Sequence, residues 1–194
     1  MELAGDDHFV AVDPDQILDE VEEFLTGARP PRVSDRVLTT ILFTDLVGST
    51  ERVQDLGDAR WTALLDEHHT AVRRALDRFS GEELDTAGAG FLASLDGPAR
   101  AIRCALEIRH ALRPLGLDVR AGVHTGEVER PPGETPRGIA VHVASRIASL
   151  AGAGEVFVSS TTHDLVAGSG LVFDDRGEHA LKGIEGLRRV YAAR

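Results

Sequence analysis

Cysteine occurs once among the 194 residues, as Cys104. No disulfide can close within the chain, a usage that fits a reducing cytosol, and at an apolar helical position the thiol reads as core. No apolar run approaches the ~20 residues of a membrane-spanning helix, and the first residues lack the basic-then-apolar order of a secretory leader. A soluble, cytoplasmic protein is the expectation. Basic residues are outnumbered, giving a formal charge of −11. That balance argues against a sequence-independent nucleic-acid binder, which needs a basic face to displace counterions. An acidic chain that holds nucleotides has to use metal and local amides instead. Familiar signatures are missing as well: there is no G-x-x-x-x-G-K-[ST] phosphate loop and no G-x-S-x-G elbow. Gly88-Ala89-Gly90 has no helix after it, so it is not a dinucleotide fingerprint. Internal repeats and low-complexity tracts are absent.

What is present suffices for one packed domain of about 150 residues with an appendage. Residues 1–26 form the appendage, a short strand followed by a helix. Asp13 can cap that helix and Pro14 suits its first turn, while Ile17, Leu18, Val21, Phe24 and Leu25 share one face before Gly27 ends it. Such a piece cannot bury its own apolar face; it is the tail of a larger domain or docks elsewhere. Residues 27–36 read as a linker, because Pro30 and Pro31 block regular structure.

From residue 37 onward strands and helices alternate. Val37 to Phe43 is a strand. Trp61, Leu64, Leu65, His68, Val72, Leu76 and Phe79 recur at helical spacing. Glu82 to Ala87 and Phe91 to Leu95 flank the turn Gly88-Ala89-Gly90. A second helix starts near Ala99 and is closed by Pro114 and Gly116. Leu117 to Glu129 alternates as a strand, with Val119, Ala121 and Val123 inward, and a Pro/Gly loop follows over 131–138. Ile139 to Ala151 predicts a third long helix, Glu155 to Val158 a short strand, Thr161 to Val166 a short helix, and Leu171 to Arg194 a terminal strand pair. The order β-α-β-β-α-β-α-β-α-β-β points to an α+β domain, a mixed sheet covered by helices on one face.

The stretch Ile41 to Glu51 organises the rest. It runs as a buried strand into Asp45 and then into the small-residue turn Gly48-Ser49-Thr50. A lone acid there is costly unless it binds a cation or hydrogen-bond donors, and the turn frees amide groups at a helix N-terminus, where phosphates are held. A metal–polyphosphate site is one reading of the stretch; an Asp that caps the next helix is the other. His68-His69 lacks partners at metal-ligand spacing and reads as a helix-face pair with one ring half buried.

Three stretches together carry more. Phe43-Thr44-Asp45, the hairpin Thr86-Ala87-Gly88-Ala89-Gly90-Phe91 and the helix segment Val141-His142-Val143-Ala144-Ser145-Arg146 stand in a recognisable order, supported by Arg120-Ala121-Gly122-Val123-His124-Thr125-Gly126 and by Leu181-Lys182-Gly183. Over residues 37–194 the chain resembles the class III nucleotidyl cyclases, the adenylyl and guanylyl cyclase catalytic domain. The resemblance implies a ferredoxin-like mixed sheet with helices and a head-to-tail homodimer that binds a nucleoside triphosphate, ATP or GTP, with Mg²⁺ or Mn²⁺. Two aspartates hold two ions in that family. One ion activates the ribose 3′-hydroxyl, the other neutralises the triphosphate, and the 3′-oxygen displaces pyrophosphate from the α-phosphorus to give a 3′,5′-cyclic nucleotide.

Carried over residue by residue, the resemblance makes Asp45 the first metal aspartate, with the Leu46 carbonyl beside it and the amides of Val47, Gly48, Ser49 and Thr50 as the phosphate cradle. The second aspartate falls where this chain has Ala89, and a methyl group cannot ligate a cation. Its loss should cost on the order of 10³-fold or more in rate. The purine-reading positions fall on Asp85 and Thr135, a pair that leans toward guanine, although a carboxylate also accepts from the adenine amino group. His142 and Arg146 match the transition-state pair, one helical turn apart, and Lys182 matches a lysine that grips the triphosphate. In the family this helical pair comes from the other protomer.

Two readings of Ala89 stay open: an active cyclase lineage with one aspartate replaced, or a degenerate nucleotide-binding and dimerisation module. Activity weak or absent in this chain is the expectation. Residues 1–26 have a resemblance of their own, since Gly5-Asp6-Asp7-His8-Phe9 before an acidic amphipathic helix is similar to the end of an α/β-hydrolase. A docking helix is the alternative. Without a serine elbow, hydrolase activity is excluded for this piece.

Overall fold

The computed structural model describes residues 20, 21, 23–27, 36–131 and 134–194, and the chain divides into two units, 1–34 and 35–194. In the first, residues 20, 21 and 23–26 are helical, as expected, and Val21, Phe24 and Leu25 are exposed. The strand and His8 of the hydrolase-like stretch lie outside the described residues, as do 28–35 of the linker.

The second unit follows the expected order with one addition. Its elements are β1 (Arg36–Leu46), α1 (Ser49–Leu56), α2 (Asp58–Arg78), β2 (Glu82–Ala87), β3 (Gly90–Leu95), α3 (Pro98–Leu112), β4 (Val119–Glu129), α4 (Ile139–Leu150), β5 (Val156–Ser159), α5 (Ser160–Leu165), β6 (Phe173–Ala180) and β7 (Leu187–Ala193). The addition is α1, which the reading of a single long helix did not separate. Gly57 divides it from α2 at φ 72°, a left-handed value that stops one helix and starts another. The sheet runs β2-β3-β1-β4-β5-β7-β6, and β4 beside β5 is its parallel pair.

Helices cover both faces of the sheet, not one. Leu42 and Leu46 join Val72, Leu76, Ile102 and Ile108 of α2 and α3 on one side. Ile41 and Leu92 join Ala140 and Ala144 of α4 on the other, which continues through Val143, Ile147, Phe157 and Val190. The second layer escaped the pattern because the β4 face that receives α4 is built from glycine. A Cβ on Gly122 would stand 2.2 Å from the Ala148 nitrogen and 2.5 Å from the Ala144 oxygen, and one on Gly126 2.9 Å from the Ala140 Cβ. Helix backbone rests directly on strand backbone there, and a bare Cα does not register as an apolar position.

Polar groups inside the fold are linked or isolated. His124 Nδ1 lies 2.7 Å from the Ser159 hydroxyl, which continues at 3.0 Å to Thr162 Oγ1. Thr162 donates to Thr125 Oγ1 at 3.3 Å, and Thr125 meets Thr40 Oγ1 at 3.0 Å. This chain of hydroxyls stitches β1, β4, β5 and α5. His68 of α2 is the isolated case. It is fully buried at 0% exposure, its ring is 5.6 Å from that of Phe91, and neither ring nitrogen finds a partner among the described residues, nor does Thr44 Oγ1. Burial first, then the neighbouring His69, pushes the His68 imidazole down from 6.5 to about 4, with Asp45 opposing.

Gly122→Ala should therefore push α4 off the sheet and cost about 3 kcal/mol, read as a Tm lower by roughly 10 °C. For His68 the unfolded ring takes up its proton near 6.5 while the folded ring resists to about 4. Stability complete above the first value should fall as the pH drops through that window, by about 3 kcal/mol. Urea midpoints measured across it should show this fall, and His68→Leu should remove its share while leaving that of His124, whose imidazole burial and then Arg188 hold down to about 4 as well.

Candidate active site

Odd-numbered positions of β1 face α4, so the strand that buries Ile41 and packs Phe43 on that side carries Asp45 there as well. In the antiparallel register with β4, Asp45 stands opposite Arg120. The guanidinium grips one carboxylate oxygen: Arg120 Nε donates to Asp45 Oδ2 at 3.1 Å and Nη2 to the same atom at 2.5 Å. Both side chains are partly open, at 35% and 41% exposure, so the pair adds little to stability and its charges are accessible.

A cavity of about 220 Å³ lies over this pair, lined by Asp45, Asp85, Gly90 and Arg120, with Ser145 and Ser149 of α4 on its far wall. Asp85 Oδ1 accepts from the Thr86 N–H at 2.8 Å. A larger groove of about 630 Å³ runs between α2 and α3. It shares no residue with the first, and two of its charges, Arg78 and Glu107, are spent on each other at 2.9 Å.

Beyond Asp45 the chain turns through Gly48 at φ 69° into α1. The first helical bond runs from the Arg52 N–H to the Gly48 carbonyl, which leaves the Ser49 and Thr50 N–H groups without helical acceptors. The Val47 N–H, expected in the same cradle, donates to the Asp118 carbonyl at 2.9 Å and is committed to the neighbouring loop. Glu51 folds back over the turn, its Oε2 3.1 Å from where a Cβ at position 48 would stand.

Ala89 occupies the tip of the β2–β3 hairpin. It is 9% exposed and packs with Phe91 into the core, and the hairpin is clipped to α2 where His69 Nε2 meets the Gly88 carbonyl at 2.8 Å. Its methyl offers no ligand, and the described residues contain no group of three His, Cys, Asp or Glu placed to hold a metal ion. The donors present do not fit a two-cation centre: one carboxylate is missing, and an oxygen of the other is engaged by Arg120.

Other expected site residues are not brought together within one chain. Thr135 lines a separate groove with Glu82, Leu84 and Arg130, away from the cavity that Asp85 lines. His142 and Arg146 are exposed on α4, and it is Ser145 and Ser149 that face the cavity. Lys182 is exposed in the turn between β6 and β7. Arg120 is the residue whose role the sequence reading missed. It was visible in the Arg120-to-Gly126 motif, but its pairing with Asp45 depends on strand register.

Comparison with known proteins agrees with the fold. The adenylyl cyclase CyaB from P. aeruginosa superposes with a TM-score of 0.76 at 22% identity, over 82% of this chain and 95% of that one. An adenylate/guanylate cyclase/hydrolase from Silicibacter pomeroyi superposes with a TM-score of 0.70 at 27% identity, over 82% of this chain and 97% of that one. An uncharacterized protein of Mycobacterium tuberculosis is 34% identical over 152 residues, 75% of this chain and 52% of that protein. The chain spans about half or less of the length of the first curated relatives it matches. Among the described residues no helix is long and apolar enough to cross a membrane. With the family model matching residues 33–192, the chain belongs to the adenylate and guanylate cyclase catalytic domain family.

Proposed function

We propose that the unit over 35–194 binds a purine nucleoside triphosphate in the cavity between Asp45, Arg120 and Asp85, and that conversion to a 3′,5′-cyclic nucleotide and pyrophosphate is weak or absent in this chain. Ala89 carries this reading: a core-packed methyl stands at the hairpin tip where the family resemblance places a metal carboxylate. Asp85 suits the purine end, because a carboxylate accepts from ring and exocyclic N–H groups. Arg120 and the Ser49 and Thr50 amides suit the phosphate end.

His142, Arg146 and Lys182 lie outside the cavity within one chain, so their part in the reaction requires a second copy in the head-to-tail arrangement that the family resemblance implies. From there Arg146 would meet charge developing on the α-phosphate and His142 the ribose. Mg²⁺ or Mn²⁺ is the cofactor of the family's chemistry, and this chain's carboxylates do not complete its pair of sites. Residues 1–26 are read as the end of an α/β-hydrolase, in keeping with a relative whose name joins cyclase and hydrolase.

Cyclic nucleotide formation from ATP and from GTP with Mn²⁺ tests the proposal. The chain as it stands should give product at or near background, and Ala89→Asp should raise it on the order of 10³-fold. A silent Ala89→Asp variant that still binds triphosphate would instead assign the domain to nucleotide binding and dimerisation.

A further inference from the structure

We infer that Arg120 is the resident cation of this cavity: fixed to Asp45 along one edge, it presents its other donors to a nucleoside triphosphate, which the chain therefore binds without a divalent ion. This rests on the triphosphate-binding reading above and departs from it in the matter of metal.

A divalent ion at such a site bridges a protein carboxylate to phosphate oxygens. Arg120 has the same connectivity. Its Nε and Nη2 each donate to Asp45 Oδ2, and among the described residues it makes no other hydrogen bond, so the rest of its five N–H donors remain for a ligand. A planar fork of this kind suits phosphate, because parallel N–H groups match paired oxygens. The pair is partly open to the cavity, at 35% and 41% exposure, so a ligand can reach it without displacing core residues. The Ser49 and Thr50 N–H groups, which have no helical acceptor, follow four and five residues after Asp45 and are further donors suited to phosphate.

A cation competing for Asp45 is poorly served. Mg²⁺ demands near-octahedral oxygen coordination, and here it would find one carboxylate whose Oδ2 already accepts twice, the Leu46 carbonyl, and a methyl group at Ala89. Asp85 also lines the cavity, but no metal-competent cluster forms with Asp45 among the described residues. Glu51, over the Gly48 turn, is a further anion near the Ser49 and Thr50 amides.

Equilibrium binding of ATP and GTP to the full chain, in EDTA and again with saturating Mg²⁺ or Mn²⁺, decides the matter. The expected Kd values agree within about threefold between the two conditions. Binding tightened about tenfold or more by either ion would overturn the inference and leave the triphosphate reading intact. Failure of both nucleotides to bind in either condition would overturn both. Asp45→Asn supplies a second arm, since it removes the carboxylate a divalent ion would need: the ratio of Kd with and without Mg²⁺ or Mn²⁺ should stay within about threefold of the parent chain's, and a tightening by the ion of about tenfold in the parent that the variant loses would overturn the inference. Arg120→Gln, checked for folding by circular dichroism, should weaken binding in EDTA by about tenfold or more; unchanged binding would count against it.

Discussion

The backbone of α4 resting on the bare Cα of Gly122 fixes the orientation of everything that helix carries. With Ala144 and Ala148 against the strand, the helical repeat turns Ser145 and Ser149 toward the cavity and leaves His142 and Arg146 on the solvent side. Rotating the helix would set side chains larger than alanine against the strand, where the contact is already close enough to admit only glycine opposite alanine. Arg146, expected to act on phosphate, and His142, expected at the ribose, are thereby turned from their own chain's cavity by packing, and not by distance in sequence.

That exclusion gives the Asp45–Arg120 pair its weight. Within one chain the cavity is lined by two carboxylates and a single guanidinium, and the guanidinium has already chosen its partner. A chain with an acidic hairpin tip would have a reason to recruit divalent ions to such a place; this one has a methyl group turned into the core. Counted over its lining the site carries one negative charge, and the N–H donors of Arg120 that Asp45 does not take are its positive edge.

Much of this was legible in the sequence. Asp45 at a strand end, the small-residue turn after it and the Gly-Ala-Gly hairpin are local patterns with local causes, and they were readable as such. The helix break at Gly57 was not, because the apolar spacing from Trp61 onward dominates that region and α1 buries nothing that would announce it. The covering of both sheet faces was hidden by glycine, which signals close approach only when the partner backbone is known. Arg120 was in view as a motif residue, yet its role comes from lying across from Asp45, a relation between strands that are 75 residues apart. Asp85 and Thr135, aligned as a pair, face different hollows for a similar reason: strand and loop positions are set by tertiary contacts.

The burial of nothing by α1 has its own consequence. The segment is joined to the body of the unit by the Val47 N–H on Asp118, by Arg52 reaching the Gly116 carbonyl, and by the left-handed Gly57 at its far end. With no fully buried residue its opening should cost far less than global unfolding, leaving the sheet closed. A ligand gripping the amides of this turn would restrict that opening and give up conformational entropy as it did so. Affinity here would then report the stiffness of one short helix as much as the strength of any contact.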